Sequence, residues 1–269
     1  MACSALDLDI PQGPQMATTH DWCICPKPNA QARLRLFCFP YAGGGSVIYR
    51  PWAADLPESI ELWCIRLPGR EGLRALPAFT RLEALVTALV PVIRPYLHMP
   101  FAFFGHSMGA LISFELTHKL CRQHNLVPVH LFVSAHRAPQ LPDRDPPLHH
   151  LSESELLTQL QRLNGTPQAV LQDTELMQFF LPVLRADFAV CETYSYTAKP
   201  PLTCPISAFG GWQDPRVSYD ELAAWREHTC GAFMHRMWPG DHFFLHSAQA
   251  QLLQALAQDL AWYLKTTGP

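Results

Sequence analysis

Residues 103–111 read FFGHSMGAL. An apolar run leads into them, and Leu111, Phe114 and Leu120 follow at near-helical spacing. The run predicts a buried strand over 101–105 and the spacing predicts a helix over 109–124, with Ser107 at the turn that joins them. A G-x-S-x-G stretch in that setting is the pattern of a nucleophile elbow. The turn is so sharp that the serine takes a strained backbone conformation, and only glycine fits on either side, here Gly105 and Gly109. Such a turn lifts the Ser107 hydroxyl above the sheet edge and aims the N-terminus of the next helix at a substrate oxygen. The pattern is short enough to arise by chance, so the rest of the chain has to supply the remaining chemistry.

Working outward, further short apolar runs lie at 34–40 (LRLFCFP), 60–67 (IELWCIRL), 129–135 (VHLFVSA), 205–210 (PISAFG) and 232–238 (AFMHRMW). Continuous apolar runs of this length suit strands buried on both faces of a parallel sheet. Helical patterns over 80–97, 219–228 and 248–264 separate or follow them, the second opened by a capping box of Ser218 and Glu221 and the third by Ser247 as a simple N-cap. The alternation defines an α/β fold, a mainly parallel central sheet flanked by helices. It breaks between residues 138 and 200. There SESELLTQLQRL (152–163), with a capping box of Ser152 and Glu155, is followed by a second helical pattern over 173–194 with no strand between them. Pro182 in the second pattern is expected to kink it or to start a new helix. The chain therefore reads as one domain over 31–269 with a helical lid inserted at about 138–200. A proline-rich polar leader, 1–30, precedes it and is expected to be flexible.

A serine hydroxyl needs a base and an acid that orients the base. Most of the 13 histidines fall inside helices, a strand or a polar loop. His242 instead follows the last predicted strand in MWPGDHFFL, at the sheet edge where such folds place their sites. His246 is the alternative. For the acid, ISAFGGWQDPRV ends the penultimate strand in a glycine pair and sets Asp214 just beyond it. The order Ser107, Asp214, His242 is the one this architecture uses. Asp241 adjoins His242 in sequence, but neighbouring side chains diverge, so Asp214 is preferred. Stabilising a developing oxyanion takes backbone N–H donors. Met108 supplies one, and Ala42, in the glycine-rich turn FPYAGGGS, is the choice for the second.

Composition narrows the partners. With 16% charged residues, a formal net charge of −3 and no basic run, the chain offers no footprint for nucleic acid or an anionic membrane. The most apolar window, 84–93, is too short to span a bilayer. The start carries Asp7 and Asp9 and lacks a basic region, so it does not read as a secretory signal, and a cytoplasmic location is expected. Nine cysteines scattered through apolar stretches read as small buried residues in a reducing compartment. Cys23 and Cys25 miss zinc-ligand spacing and have no second pair, so no metal site is expected.

Together FPYAGGGS, LPGRE (67–71), GHSMGA (105–110), RADFAVCETY (185–194) and GDHFF (240–244) resemble the type II thioesterases that accompany nonribosomal peptide and polyketide synthases. The resemblance implies an α/β-hydrolase fold with a helical lid and a triad of Ser107, Asp214 and His242. It also implies hydrolysis of acyl or aminoacyl groups from the phosphopantetheine arm of acyl or peptidyl carrier proteins, clearing stalled or misprimed units. Acyl-CoA would serve as a surrogate substrate, and no cofactor is required beyond the arm the substrate carries. Release of medium-chain fatty acids is the alternative. In the lid, Met177, Phe179, Phe180 and Phe188 are the expected acyl-chamber residues.

Overall fold

The structure is a computed structural model that describes residues 19–266, apart from Asn164, Thr166 and Pro167. Seven strands make one sheet: β1 (Cys23–Ile24), β2 (Leu34–Phe39), β3 (Ile60–Ile65), β4 (Phe101–His106), β5 (His130–Ser134), β6 (Ile206–Gly211) and β7 (Phe233–Trp238). Their order is β1-β3-β2-β4-β5-β6-β7. Neighbours run parallel except β1, which pairs antiparallel with β3.

The central strands are mainly apolar because both faces of the sheet are covered there, while the edge strand β7 is only half-buried. Side chains alternate across the pleat. Phe37, Phe39, Phe101, Phe103, Leu131 and Val133 face a core shared with α1 (Leu82–Ile93) and α2 (Met108–His124). Leu36, Cys38, Ala102, Phe104 and Phe132 face a second core closed by Leu252, Leu253, Leu256 and Leu260 of α8 (Gln249–Thr266).

The chain runs outward from β2 to β3 and then crosses back to β4, so the connections leaving β2 and β4 diverge at their C-terminal ends. That divergence is where open α/β sheets hold their ligands. Register sets Phe39 opposite Gly105, which brings the turn after β2 against the turn at Ser107.

Between β5 and β6 lie α3 (Glu153–Leu163), α4 (Gln168–Leu171) and α5 (Thr174–Glu192). Their apolar faces meet in a small core of their own, built on Leu148, Leu156, Leu160, Met177, Leu181, Leu184 and Phe188. After β6 come α6 (Tyr219–Ala223) and, after β7, α7 (Phe244–Ser247). Both predicted capping boxes form. The Ser218 N–H reaches Glu221 at 2.9 Å, and the Ser152 N–H reaches Glu155 at 2.9 Å.

Four expectations need correction. The leader does not extend to residue 30 as a flexible segment: β1 joins the sheet edge, Trp22 and Cys23 are buried, and the Asn29 N–H donates to Glu61. A two-residue strand carries too little pattern to be read from sequence. Residues 1–18 lie outside the described residues. Ser247 does not cap α8 but ends α7, its hydroxyl turned back to the Phe244 carbonyl. Pro182 does not start a new helix, since α5 runs through it. Burial of Leu181, Val183 and Leu184 on both sides of the proline holds the turn that loses a hydrogen bond. Finally, the cysteines are only partly interior. Burial pushes the thiols of Cys23, Cys64 and Cys204 up to about 12, but Cys230 is exposed.

Candidate active site

Ser107 occupies φ 52°, ψ −117°, a conformation L-residues rarely hold. The surroundings impose it. The Ser107 N–H donates to the Ser134 carbonyl at 2.7 Å and the Ala110 N–H donates to the Ser107 carbonyl at 2.9 Å. A Cβ at Gly105 would run into the Gly109 carbonyl, and a Cβ at Gly109 into the Phe39 carbonyl. The glycines thus allow β2, β4 and the start of α2 to close around the serine.

The Ser107 hydroxyl lies 3.0 Å from Nε2 of His242, and Nδ1 of His242 lies 2.8 Å from Asp214 Oδ2. A carboxylate only accepts, so Nδ1 carries the proton and Nε2 presents its lone pair to the serine. Asp214 is fully shielded, and its other oxygen accepts the Arg216 N–H at 2.8 Å. Its loop is pressed onto the histidine loop: the Gln213 N–H donates to the Gly240 carbonyl, and Gln213 Oε1 accepts the Gly240 N–H. Asp241 is elsewhere, accepting the Phe243 N–H at 2.8 Å. His246 sits on α7, with Nε2 3.4 Å from the Tyr41 hydroxyl.

A second histidine supports the first. His106 is fully buried, and its Nε2 lies 2.9 Å from the His242 carbonyl. That carbonyl accepts, so His106 Nε2 is the protonated nitrogen and Nδ1 receives the Ser134 hydroxyl, 2.9 Å away. Burial, reinforced by the nearby His242, holds its pKa well below the ordinary histidine range, which keeps this tautomer neutral.

Ala42 and Ser107 line one cavity of about 100 Å³. Met108 opens α2, and an N–H at that position has no partner inside its helix. The turn bearing Ala42 is tied down on several sides. The Gly43 N–H donates to Asp187 Oδ2 at 2.7 Å, and Gly44 donates to the Tyr41 carbonyl at 2.9 Å. Arg70 Nη1 reaches the Gly44 carbonyl at 2.8 Å. Arg70 also holds Asp187 in a bidentate pair at 2.7 and 2.6 Å. Both side chains are buried. Sequence reading missed this pair, although the stretches LPGRE and RADF that contain it carry the family resemblance. Each stretch carries two charged residues, Arg70 with Glu71 and Arg185 with Asp187, and no local pattern marks which of them pair.

Of the expected chamber residues only Phe188 lines the cavity, beside Leu160, Leu163 and Leu184. Met177 is buried within the helical insertion's own core. Phe179 is 71% and Phe180 40% exposed, on the outer side of α5. Helical spacing puts Met177 and Phe188 on one face and Phe179 on the opposite side, but does not say which face turns inward. Arg137, Asp143, Glu192 and Arg216 also line the cavity.

A serine, a shielded aspartate and a histidine in this order along the chain, at the C-terminal edge of this sheet, define a serine hydrolase of the α/β-hydrolase class. Within that class the thioesterase domain family matches residues 34–260. The chain belongs to that family and is a thioester hydrolase. It is 46% identical over 246 residues to a Brevibacillus parabrevis protein named linear gramicidin dehydrogenase LgrE, covering 90% of this chain and 94% of LgrE. The gramicidin S biosynthesis protein GrsT of Aneurinibacillus migulanus is 45% identical over 245 residues, covering 91% and 96%. Among solved structures, the type II thioesterase BorB from the borrelidin biosynthetic cluster superposes with a TM-score of 0.83 at 36% identity, covering 92% of this chain and all of BorB. No described helix is long and apolar enough to cross a membrane.

Proposed function

We propose that this chain is an editing thioesterase that hydrolyses acyl or aminoacyl groups from the phosphopantetheine arm of synthase carrier proteins. The observation that carries the reading is the Ser107–His242–Asp214 alignment in a chain so similar to a gramicidin biosynthesis protein. His242 removes the Ser107 proton as Oγ attacks the thioester carbonyl. The N–H groups of Ala42 and Met108 hold the oxyanion, aided by the positive end of α2. Collapse expels the pantetheine thiolate, which takes the proton from His242, and leaves an acyl-serine. His242 then deprotonates a water that attacks the ester, and the acid leaves as Ser107 regains its proton. Asp214 stabilises the imidazolium in both halves. No metal or diffusible cofactor enters these steps.

The helical insertion acts as the lid, with α5 forming the wall over Ser107. A space of about 100 Å³ beside Ser107 suits a short acyl group. The charged residues that line it favour a polar or aminoacyl unit in the same way. The name of LgrE denotes a redox reaction. Here the turn after β2 departs from a dinucleotide fingerprint, with Ile48 where G-x-G-x-x-G would continue from Gly43 and Gly45. The working location is the cytoplasm, where such synthases and their carrier domains meet the enzyme.

Fluorophosphonate labelling of wild type and Ser107→Ala tests the chemistry, and kcat/KM for one acyl group on a carrier protein and on CoA tests the partner. Labelling should vanish in Ser107→Ala, turnover should fall on the order of 10⁶-fold, and the carrier-bound thioester should be preferred. Equal kcat/KM on both carriers of the acyl group would leave a general thioesterase.

A further inference from the structure

We propose that Asp187 is a positioning residue for the reaction, holding the oxyanion donor of Ala42 in place from the lid helix. The inference rests on the assignment of Ala42 and Ser107 made above. Its geometry is a chain of contacts. Asp187 on α5 accepts the Gly43 N–H, and Arg70, gripped by the same carboxylate, donates to the Gly44 carbonyl. Gly44 in turn donates to the Tyr41 carbonyl. In a trans peptide the N–H points opposite the carbonyl, so fixing the Tyr41 oxygen fixes the direction of the Ala42 N–H. Gly43, at φ 75°, has the freedom this tight turn needs.

The carboxylate therefore does more than neutralise a buried arginine. Asp187 is 144 residues from the glycine it holds and belongs to a different layer of the fold. Leu184, one turn earlier on α5, lies where a Cβ on Gly43 would have to go, so helix and turn are in direct contact. Seating α5 over the cavity and orienting the donor are thus a single event. An oxyanion donor acts only as charge develops, so its misalignment lowers kcat and leaves ground-state binding largely intact.

The test is hydrolysis of acetyl-CoA by the full-length enzyme. Asp187→Ala, which removes the acceptor of the Gly43 N–H, should lower kcat on the order of 10²-fold, as loss of one oxyanion donor does. KM should stay within about threefold and the pH profile of kcat/KM should not move, because His242 and Asp214 are untouched. A merely structural ion pair is separated by the double variant Arg70→Met/Asp187→Leu. Replacing a buried pair with apolar side chains of similar volume commonly preserves or raises stability. That variant should melt near the wild-type temperature yet remain about 10²-fold slow, since Gly43 still lacks its acceptor. Recovery of kcat to within threefold of wild type in the double variant would overturn the proposal, as would a folded Asp187→Ala enzyme of normal kcat. Ser107→Ala is assayed alongside. If it keeps turnover, the nucleophile assignment fails and takes this inference with it. If it is inactive while the Asp187 variants run normally, only this inference fails.

Discussion

His106 Nε2 donates to the main-chain carbonyl of His242 at 2.9 Å, tying the residue just before the serine to the residue that faces it. The bond spans 136 positions of sequence and is buried. It holds the histidine loop from beneath while Asp214 holds the ring from the side. His106→Ala should leave a buried carbonyl and the Ser134 hydroxyl without partners, a loss of about 1–3 kcal/mol for each group left unpaired. The freed loop should also lower kcat on the order of 10²-fold, the penalty for displacing a reacting group by about 1 Å. Denaturant unfolding and steady-state kinetics on the same preparation check both. A normal kcat in a destabilised variant would limit His106 to a packing role.

Asp214→Asn should be far more damaging than Asp241→Asn. An amide at 214 favours the wrong imidazole tautomer and costs about 10⁴ in kcat in known triads. Asp241 accepts the Phe243 N–H, a contact that an asparagine oxygen can keep. The ordering of the two kcat values decides the assignment, and a worse Asp241→Asn would reverse it.

Phe188 and Phe180 share α5 but not its surroundings. Phe188→Ala should enlarge the cavity beside Ser107 and raise kcat/KM for hexanoyl-CoA relative to acetyl-CoA. Removing this buried ring should also cost about 3–5 kcal/mol of stability. Phe180→Ala, on the exposed side, should leave that ratio unchanged. The two ratios measured in parallel test the inward face of the helix, and equal responses would contradict it.

Stability should fall as pH drops below 6.5. Burial lowers the pKa of His130 to about 4 and acts in the same direction on His106. The unfolded chain takes up these protons near pH 6.5, while the folded chain refuses His130's until about pH 4. Between those values the unfolded state binds more protons, so stability is full above pH 6.5 and is lost on acidification. The slope is about 1.4 kcal/mol per pH unit for each such histidine. Urea unfolding at pH 7.5 and pH 5.0 measures it, and His130→Gln should flatten the dependence. Identical unfolding free energies at both values would show that burial does not hold these rings neutral.

Several parts of this protein were legible in the amino-acid sequence because the forces behind them act over a few residues. G-x-S-x-G between an apolar run and a helical pattern specifies an elbow through local sterics, and Ser107 takes the positive φ such a turn demands. Runs such as LRLFCFP and VHLFVSA announce strands covered on both faces, and the capping boxes at Ser152 and Ser218 announce helix starts. The order of Ser107, Asp214 and His242 along the chain follows from which strand ends meet at one sheet edge. Other parts depend on which distant surfaces pack together. Arg70 and Asp187 are 117 residues apart, and no local rule pairs them or sets them on the turn of Gly43. Phe188 and Phe179 lie on one helix, and only the seating of α5 over the sheet turns one toward Ser107 and leaves the other in solvent. Spacing sets which side chains share a face, but the direction of that face is decided by the apolar area each orientation buries against the rest of the fold.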